Sequence, residues 1–107
     1  MNLKSKKAII TGGSRGLGKA TAIAFAKKGI DVAITGRNEK RLKETVAELK
    51  ALGVNATYEI FDVGNYEEVK KGIKNIIARL GSVDILVNNA GIAAFGTLNE
   101  MEVSQCF

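Results

Sequence analysis

The stretch ITGGSRGLG, Ile10 to Gly18, decides how this chain is read. A short apolar run stops at Thr11, four glycines fall within the next seven positions, and the alanine-rich segment KATAIAFAKK, Lys19 to Lys28, follows at once. Glycine is required where the backbone takes positive φ, or where a Cβ would block a ligand or a neighbouring strand. Free N–H groups in a first helical turn, reinforced by the helix dipole, bind anions. The pattern therefore predicts a strand ending at Thr11, a helix over Gly16–Lys28, and between them a turn shaped for the phosphates of a dinucleotide. Gly12, Ser14, Arg15, Gly16, Leu17 and Gly18 are its candidate contacts. The spacing Thr-Gly-x-x-x-Gly-x-Gly does not match G-x-G-x-x-G in any register, and no Gly-Lys-Ser/Thr follows, which excludes a Walker-type loop. Taken alone, such a turn is also compatible with a tight connection and nothing more.

Outward from this turn the chain alternates between two periods. Apolar bursts at Ala8 to Thr11, Val32 to Thr35, Ala56 to Phe61 and Ile85 to Val87 are too short for helices and rich in β-branched residues, as buried parallel strands are. Leu42, Val46, Leu49 and Gly53 recur at helical spacing, with Asn38 placed to cap, Glu39 in the first turn and Gly53 as the stop. Val69, Ile73, Ile76 and Leu80 repeat the arrangement up to Gly81. The order is βαβαβαβ, which predicts an α/β fold of the Rossmann type, a doubly wound parallel sheet with right-handed crossovers. Residues 1–107 are read as the N-terminal part of a single NAD(P)-binding domain.

Composition narrows the function. With 46% hydrophobic and 25% charged residues the chain is of the soluble globular class, and no apolar run nears the roughly 20 residues of a membrane span. A cytoplasmic location is expected. There is no histidine and a single Cys106, so neither a disulfide framework nor a His/Cys metal site is available. The net charge of +5 invites a nucleic-acid reading, but the basic residues in KSKK, AKKG, EKRLKE and VKKGIK are scattered over helix surfaces and mixed with acids. No nucleic-acid partner is expected; a modest attraction for anionic ligands is.

TGGSRGLG at 11–18, DV at 62–63 and NNAG at 88–91, in that order and on successive strand ends, resemble the short-chain dehydrogenase/reductase family. Within it the chain is most similar to NADPH-dependent 3-oxoacyl-(acyl carrier protein) reductases. The resemblance implies a cofactor lying across the carboxyl ends of the strands, between the first and the fourth, where the order reverses. It implies that Asp62 and Val63 line the adenine pocket, although Asp62 is also placed to cap the helix entered near Asn65. It implies that Asn88 ties strands together, while Asn89, Ala90 and Gly91 let the cofactor ribose approach. A homo-oligomeric full-length enzyme with a small-molecule or acyl-carrier carbonyl substrate is implied as well.

The choice of cofactor rests on charge at the end of the second strand. NAD binders place an acid there for the ribose hydroxyls, whereas this chain has Thr35, Gly36, Arg37 and Asn38. Asp31 opens that strand and Glu39 lies inside the next helix, so neither is placed to exclude a phosphate. Arg37 and Asn38, assisted by Arg15, are the expected contacts of the 2′-phosphate, and NADP(H) is the expected cofactor.

Catalysis is where the likeness departs. The family implies a serine and a Tyr-x-x-x-Lys pair, the lysine lowering the tyrosine pKa, all well beyond NNAG; only 16 residues follow Gly91. YEEVK, Tyr66 to Lys70, has the right spacing, but two tyrosines and twelve lysines make a chance match expected at about 0.2, and it precedes NNAG on the adenine side. No catalytic residue is assigned. The chain is expected to be a truncated, inactive cofactor-binding half of a reductase; the alternative is an inert dinucleotide-binding or interaction module. EMEVSQCF, residues 100–107, should enter a fourth helix, and the fourth strand should be left with a bare apolar edge, favouring marginal stability or self-association.

Overall fold

A computed structural model describes residues 6–12, 16–61, 64–88 and 92–95. The element order is β1 (Lys7–Thr11), α1 (Gly16–Lys27), β2 (Asp31–Gly36), α2 (Glu39–Ala51), β3 (Ala56–Ile60), α3 (Tyr66–Leu80), β4 (Ile85–Asn88) and β5 (Ile92–Phe95). The strands form one sheet in the order β3-β2-β1-β4-β5. The first four are parallel, as the alternation of periods predicts.

β1 and β2 are apolar at nearly every position because helices cover both of their faces, and the side chains still divide by parity. Ala8, Ile10, Val32 and Ile34 pack with Ala22 and Ala26 of α1 and Leu42, Val46 and Leu49 of α2. Ile9, Ala33 and Leu86 face the other way, onto Val69, Ile73 and Ile76 of α3. The alanines of α1 bring its backbone close to the sheet, and the i, i+4, i+7 spacing of Leu42, Val46 and Leu49 sets the buried stripe of α2. α3 seats still more tightly. An ideal Cβ on Gly72 would lie 2.5 and 2.6 Å from two ring carbons of Phe61, the buried residue that follows β3.

The helix ends follow the expected chemistry. Asn38 Oδ1 accepts the Arg41 N–H at 3.1 Å, capping α2. α3 is capped by Asn65, whose Oδ1 accepts the Glu68 N–H at 3.2 Å, which corrects the reading of Asp62 as that cap: Asn65, immediately before the first turn, is within reach of the third helical amide.

A second correction concerns β4. Its outer edge is not bare, because β5 pairs with it antiparallel, from Ile85 opposite Phe95 to Asn88 opposite Ile92. Only three residues separate Asn88 from Ile92, too few for a crossover, so a strand added by so short a return must run antiparallel. The sheet is therefore mixed at that edge. The expected fourth helix over residues 100–107 lies outside the described residues.

At the amino end of the sheet, on the α3 side, the apolar rows give way to charge. Asp31, opposite Lys7 in register, accepts from Lys7 Nζ, from the Asn55 N–H at 3.0 Å and from Asn55 Nδ2 at 3.3 Å. Asp84 accepts the Lys7 N–H at 2.9 Å. Burial alone would raise the Asp31 pKa, but the Lys7 and Asn55 hydrogen bonds outweigh it and hold the carboxyl below its usual value. This early acid thus joins β1, β2 and the start of β3 at the end of the sheet away from the glycine turn.

Two outcomes follow for stability. Gly72→Ala should destabilise the chain by about 1–3 kcal/mol, since the Phe61 ring is buried and cannot swing clear; urea denaturation checks this. Because the folded-state pKa of Asp31 is depressed, its contribution is present above the ordinary carboxylate value and lost as pH falls through the folded value. Thermal melts from pH 7 to pH 3 should therefore show a steeper loss for the native chain than for Asp31→Asn, which should already be weaker at pH 7.

Candidate functional site

The carboxyl ends of β1 and β2, and the amino ends of α1 and α2, meet at one end of the sheet. β1 sits at the point where the strand order reverses: the chain leaves it to build β2 and β3 on one side and returns to build β4 on the other. A crevice forms at such a point because the two flanking connections diverge to opposite faces.

Gly12 and Gly16 bracket the turn at the head of this crevice. Both hold positive φ, 67° and 60°, a region that costs a side chain energy and glycine little. The Gly12 N–H donates to the Thr35 carbonyl at 2.9 Å, tying the start of the turn to the end of β2. Gly16 is the first residue of α1, and an ideal Cβ built on it meets no heavy atom within 4 Å, so its outer side is open. Gly18 is buried inside α1. Leu17 projects outward, 78% exposed, and its carbonyl accepts the Thr21 hydroxyl at 2.8 Å. The first turn of α1 carries no acidic residue, so nothing there opposes an anion.

Arg37 and Asn38 follow β2 directly and both are exposed. The Asn38 side-chain oxygen caps α2, which leaves its amide N–H groups as the donors available to a ligand. Glu39, the acid nearest this position in sequence, is engaged: Tyr58 Oη donates to Glu39 Oε2 at 3.0 Å. Partial desolvation and the Glu39 carboxylate both raise the Tyr58 pKa above its usual value. Ser14, Arg15, Asp62, Val63, Asn89, Ala90 and Gly91 lie outside the described residues, and of Asn88 only the strand register is described. Tyr66, of the Tyr-x-x-x-Lys spacing, opens α3, the helix that follows the edge strand β3, and is half exposed.

Sequence reasoning passed over two residues here. Thr35 is fully buried next to Thr11, and its hydroxyl has no hydrogen-bond partner among the described residues. A polar residue closing the apolar run VAI was a legible signal for it. Tyr58 and Glu39 are 19 residues apart and carried no signal, since only the packing of the start of α2 beside β3 brings them together.

The family model for short chain dehydrogenases matches residues 6–107. A short chain dehydrogenase of the fungus Pseudocercospora fijiensis is 48% identical over 90% of this chain and 31% of its own length. A 3-oxoacyl-[acyl-carrier-protein] reductase of Staphylococcus epidermidis is 40% identical over 92% of this chain and 41% of its own length. Among solved structures, an alcohol dehydrogenase of the archaeon Thermococcus sibiricus complexed with 5-hydroxy-NADP has TM-score 0.73 and 39% identity, covering 76% of this chain and 35% of that one. An NAD+-bound xylitol dehydrogenase has TM-score 0.77 and 27% identity, covering 80% and 33%. The parallel strand order defines an α/β protein of the Rossmann type, and this chain belongs to the short chain dehydrogenase family. It spans between about a third and two fifths of the length of these relatives. One of these solved neighbours holds NAD+ and the other 5-hydroxy-NADP.

Thr35→Val keeps the β-branched shape and removes only the hydroxyl. It should leave stability unchanged or raise it by up to about 1 kcal/mol, as expected when a buried polar group lacking a partner is replaced by a methyl. Chemical denaturation checks this; a loss of about 2 kcal/mol or more would show that the hydroxyl is bonded after all.

Proposed function

We propose that this chain is the cofactor-binding half of an NADPH-dependent carbonyl reductase whose substrates are 3-oxoacyl thioesters. The observation that supports the cofactor choice is the end of β2, where an exposed arginine, Arg37, follows the strand and no acid stands between the strand and the first residue of α2. A 2′-phosphate needs cationic donors there and is repelled by a free carboxylate. The substrate class is supported by the 40% identity to a 3-oxoacyl-[acyl-carrier-protein] reductase.

In this reading the amides of the first turn of α1 hold the pyrophosphate, which is why Gly16 is open on its outer side and why no acid stands in that turn. Gly12, Ser14 and Leu17 complete the turn, and Gly18 lets α1 pack on the sheet. Arg37, with Arg15 and the Asn38 amide, receives the 2′-phosphate. Asp62 and Val63 take the adenine, and Asn89, Ala90 and Gly91 leave room for the ribose. Bound NADPH supplies the hydride for carbonyl reduction. The chain's own residues fix the cofactor, and the proton that completes the alcohol comes from residues that the relatives carry in the remainder of their length. The 107 residues alone therefore bind dinucleotide without turnover.

A charge-assisted hydrogen bond to the 2′-phosphate is worth about 1.5–3 kcal/mol, which corresponds to roughly a ten- to a hundredfold preference for NADPH over NADH. Titration of both cofactors, followed by calorimetry, should show that preference, with no carbonyl-dependent loss of NADPH absorbance. Arg37→Asp should collapse the ratio or invert it. An unchanged ratio means that the phosphate clamp is wrong, and failure of both cofactors to bind would sink the site itself.

A further inference from the structure

β3 is the outermost strand on its side of the sheet, and among the described residues nothing pairs with its outer edge. Its parity is set by the ladder to β2: the Val32 N–H donates to the Asn55 carbonyl at 3.1 Å and the Phe61 N–H donates to the Gly36 carbonyl at 3.2 Å. In a parallel pair the backbone groups of alternate residues face the same neighbour. Asn55, Thr57, Glu59 and Phe61 therefore turn toward β2, and the backbones of Ala56, Tyr58 and Ile60 turn outward. Ile60 is 47% exposed, a large apolar side chain at an open strand edge. Such an edge is a template for strand addition unless something blocks it.

One side chain lies across it. Arg79, in the last turn of α3, donates from Nη1 to the outward carbonyl of Tyr58 at 3.0 Å and to Thr57 Oγ1 at 3.2 Å, and it lies 3.4 Å from Glu59 Oε2. Glu59 is itself fixed, because its Oε1 accepts from Asn75 Nδ2 at 2.7 Å. The guanidinium is thus aimed by two carboxylate and hydroxyl neighbours at the central outward acceptor of the strand. A groove of about 400 Å³, lined by Glu39, Thr57, Tyr58, Glu59, Ile60 and Arg79, runs along this edge.

We propose that the β3 edge is a strand-addition surface for a second copy of this chain, held closed by the Arg79 clip. The strand is self-complementary for that pairing. In an antiparallel arrangement centred on Tyr58, the outward N–H and C=O of Tyr58 exchange bonds with their own counterparts, and small Ala56 falls opposite large Ile60 on the same face. The result is a closed two-fold pair, with no further edge offered on this side. The clip denies it by occupying the carbonyl at its centre, where the N–H of a second copy would have to donate.

Sedimentation velocity on the 107-residue chain and on Arg79→Ala, across a concentration series, tests this. Arg79→Ala should show a weight-average mass rising with concentration toward about twice that of the native chain at equal concentration. Adding Tyr58→Pro should abolish the rise: proline lacks the outward N–H, and that N–H takes no part in the ladder to β2. Circular dichroism establishes that each variant is folded. If Arg79→Ala does not fold, Arg79→Lys carries the test, since it keeps the aliphatic stem and the charge but loses the planar fork, and the same rise is expected in weaker form. A folded variant that sediments like the native chain at every concentration overturns the proposal, and so does association that survives Tyr58→Pro.

Discussion

Ile9 and Ile10 stand side by side in β1 and point to opposite faces of the sheet, and everything else is arranged around that pair. Each is fully buried, one in the core under α3 and the other in the core under α1 and α2. A strand flanked on both edges and covered on both faces has no polar surroundings until it ends. β1 is such a strand, bonded to β2 and to β4, so its carboxyl end marks where the interior stops and the crevice begins. Thr11 is the last residue of that interior, and Gly12 is the first outside it.

The two ends of the sheet are put to different uses. At the amino end the charges are spent on one another: Asp31, Lys7, Asn55 and Asp84 close a network across three strands and the residues leading into β4. At the carboxyl end the groups face outward, with Gly16 open and Arg37 exposed, and no acid lies in the first turn of α1. The third surface, the β3 edge, is closed by Arg79, and the Tyr58–Glu39 bond ties the same strand to the start of α2. That second bond links the edge to the cofactor question, because it engages the acid that stands two residues after Arg37.

Much of this was legible before any coordinates. The alternation of short β-branched runs with helical stripes is a local property, since burial on both faces demands apolar residues at every strand position and burial on one face demands them every third or fourth helix position. The caps and stops are local too, so Asn38 was readable as the cap of α2. The glycine turn was readable because positive φ leaves few residues to choose from. The alternative role of Asp62, as cap of α3, falls to Asn65, because both residues suit a cap and only the backbone path shows which one precedes the first turn.

What the sequence by itself determined is the first seven elements, the direction of the first four strands, and the family signature on their carboxyl ends. What only the tertiary structure decided is which distant residues meet: Gly72 under the Phe61 ring, Tyr58 on Glu39, Arg79 on the β3 carbonyl, and β5 laid along β4. The physical reason is range. Periodicity, capping and turn chemistry act over a few residues and leave a pattern in the chain. A contact between residues far apart is set by strand register and by the angle at which a helix crosses the sheet, and neither leaves a mark on the residues in between.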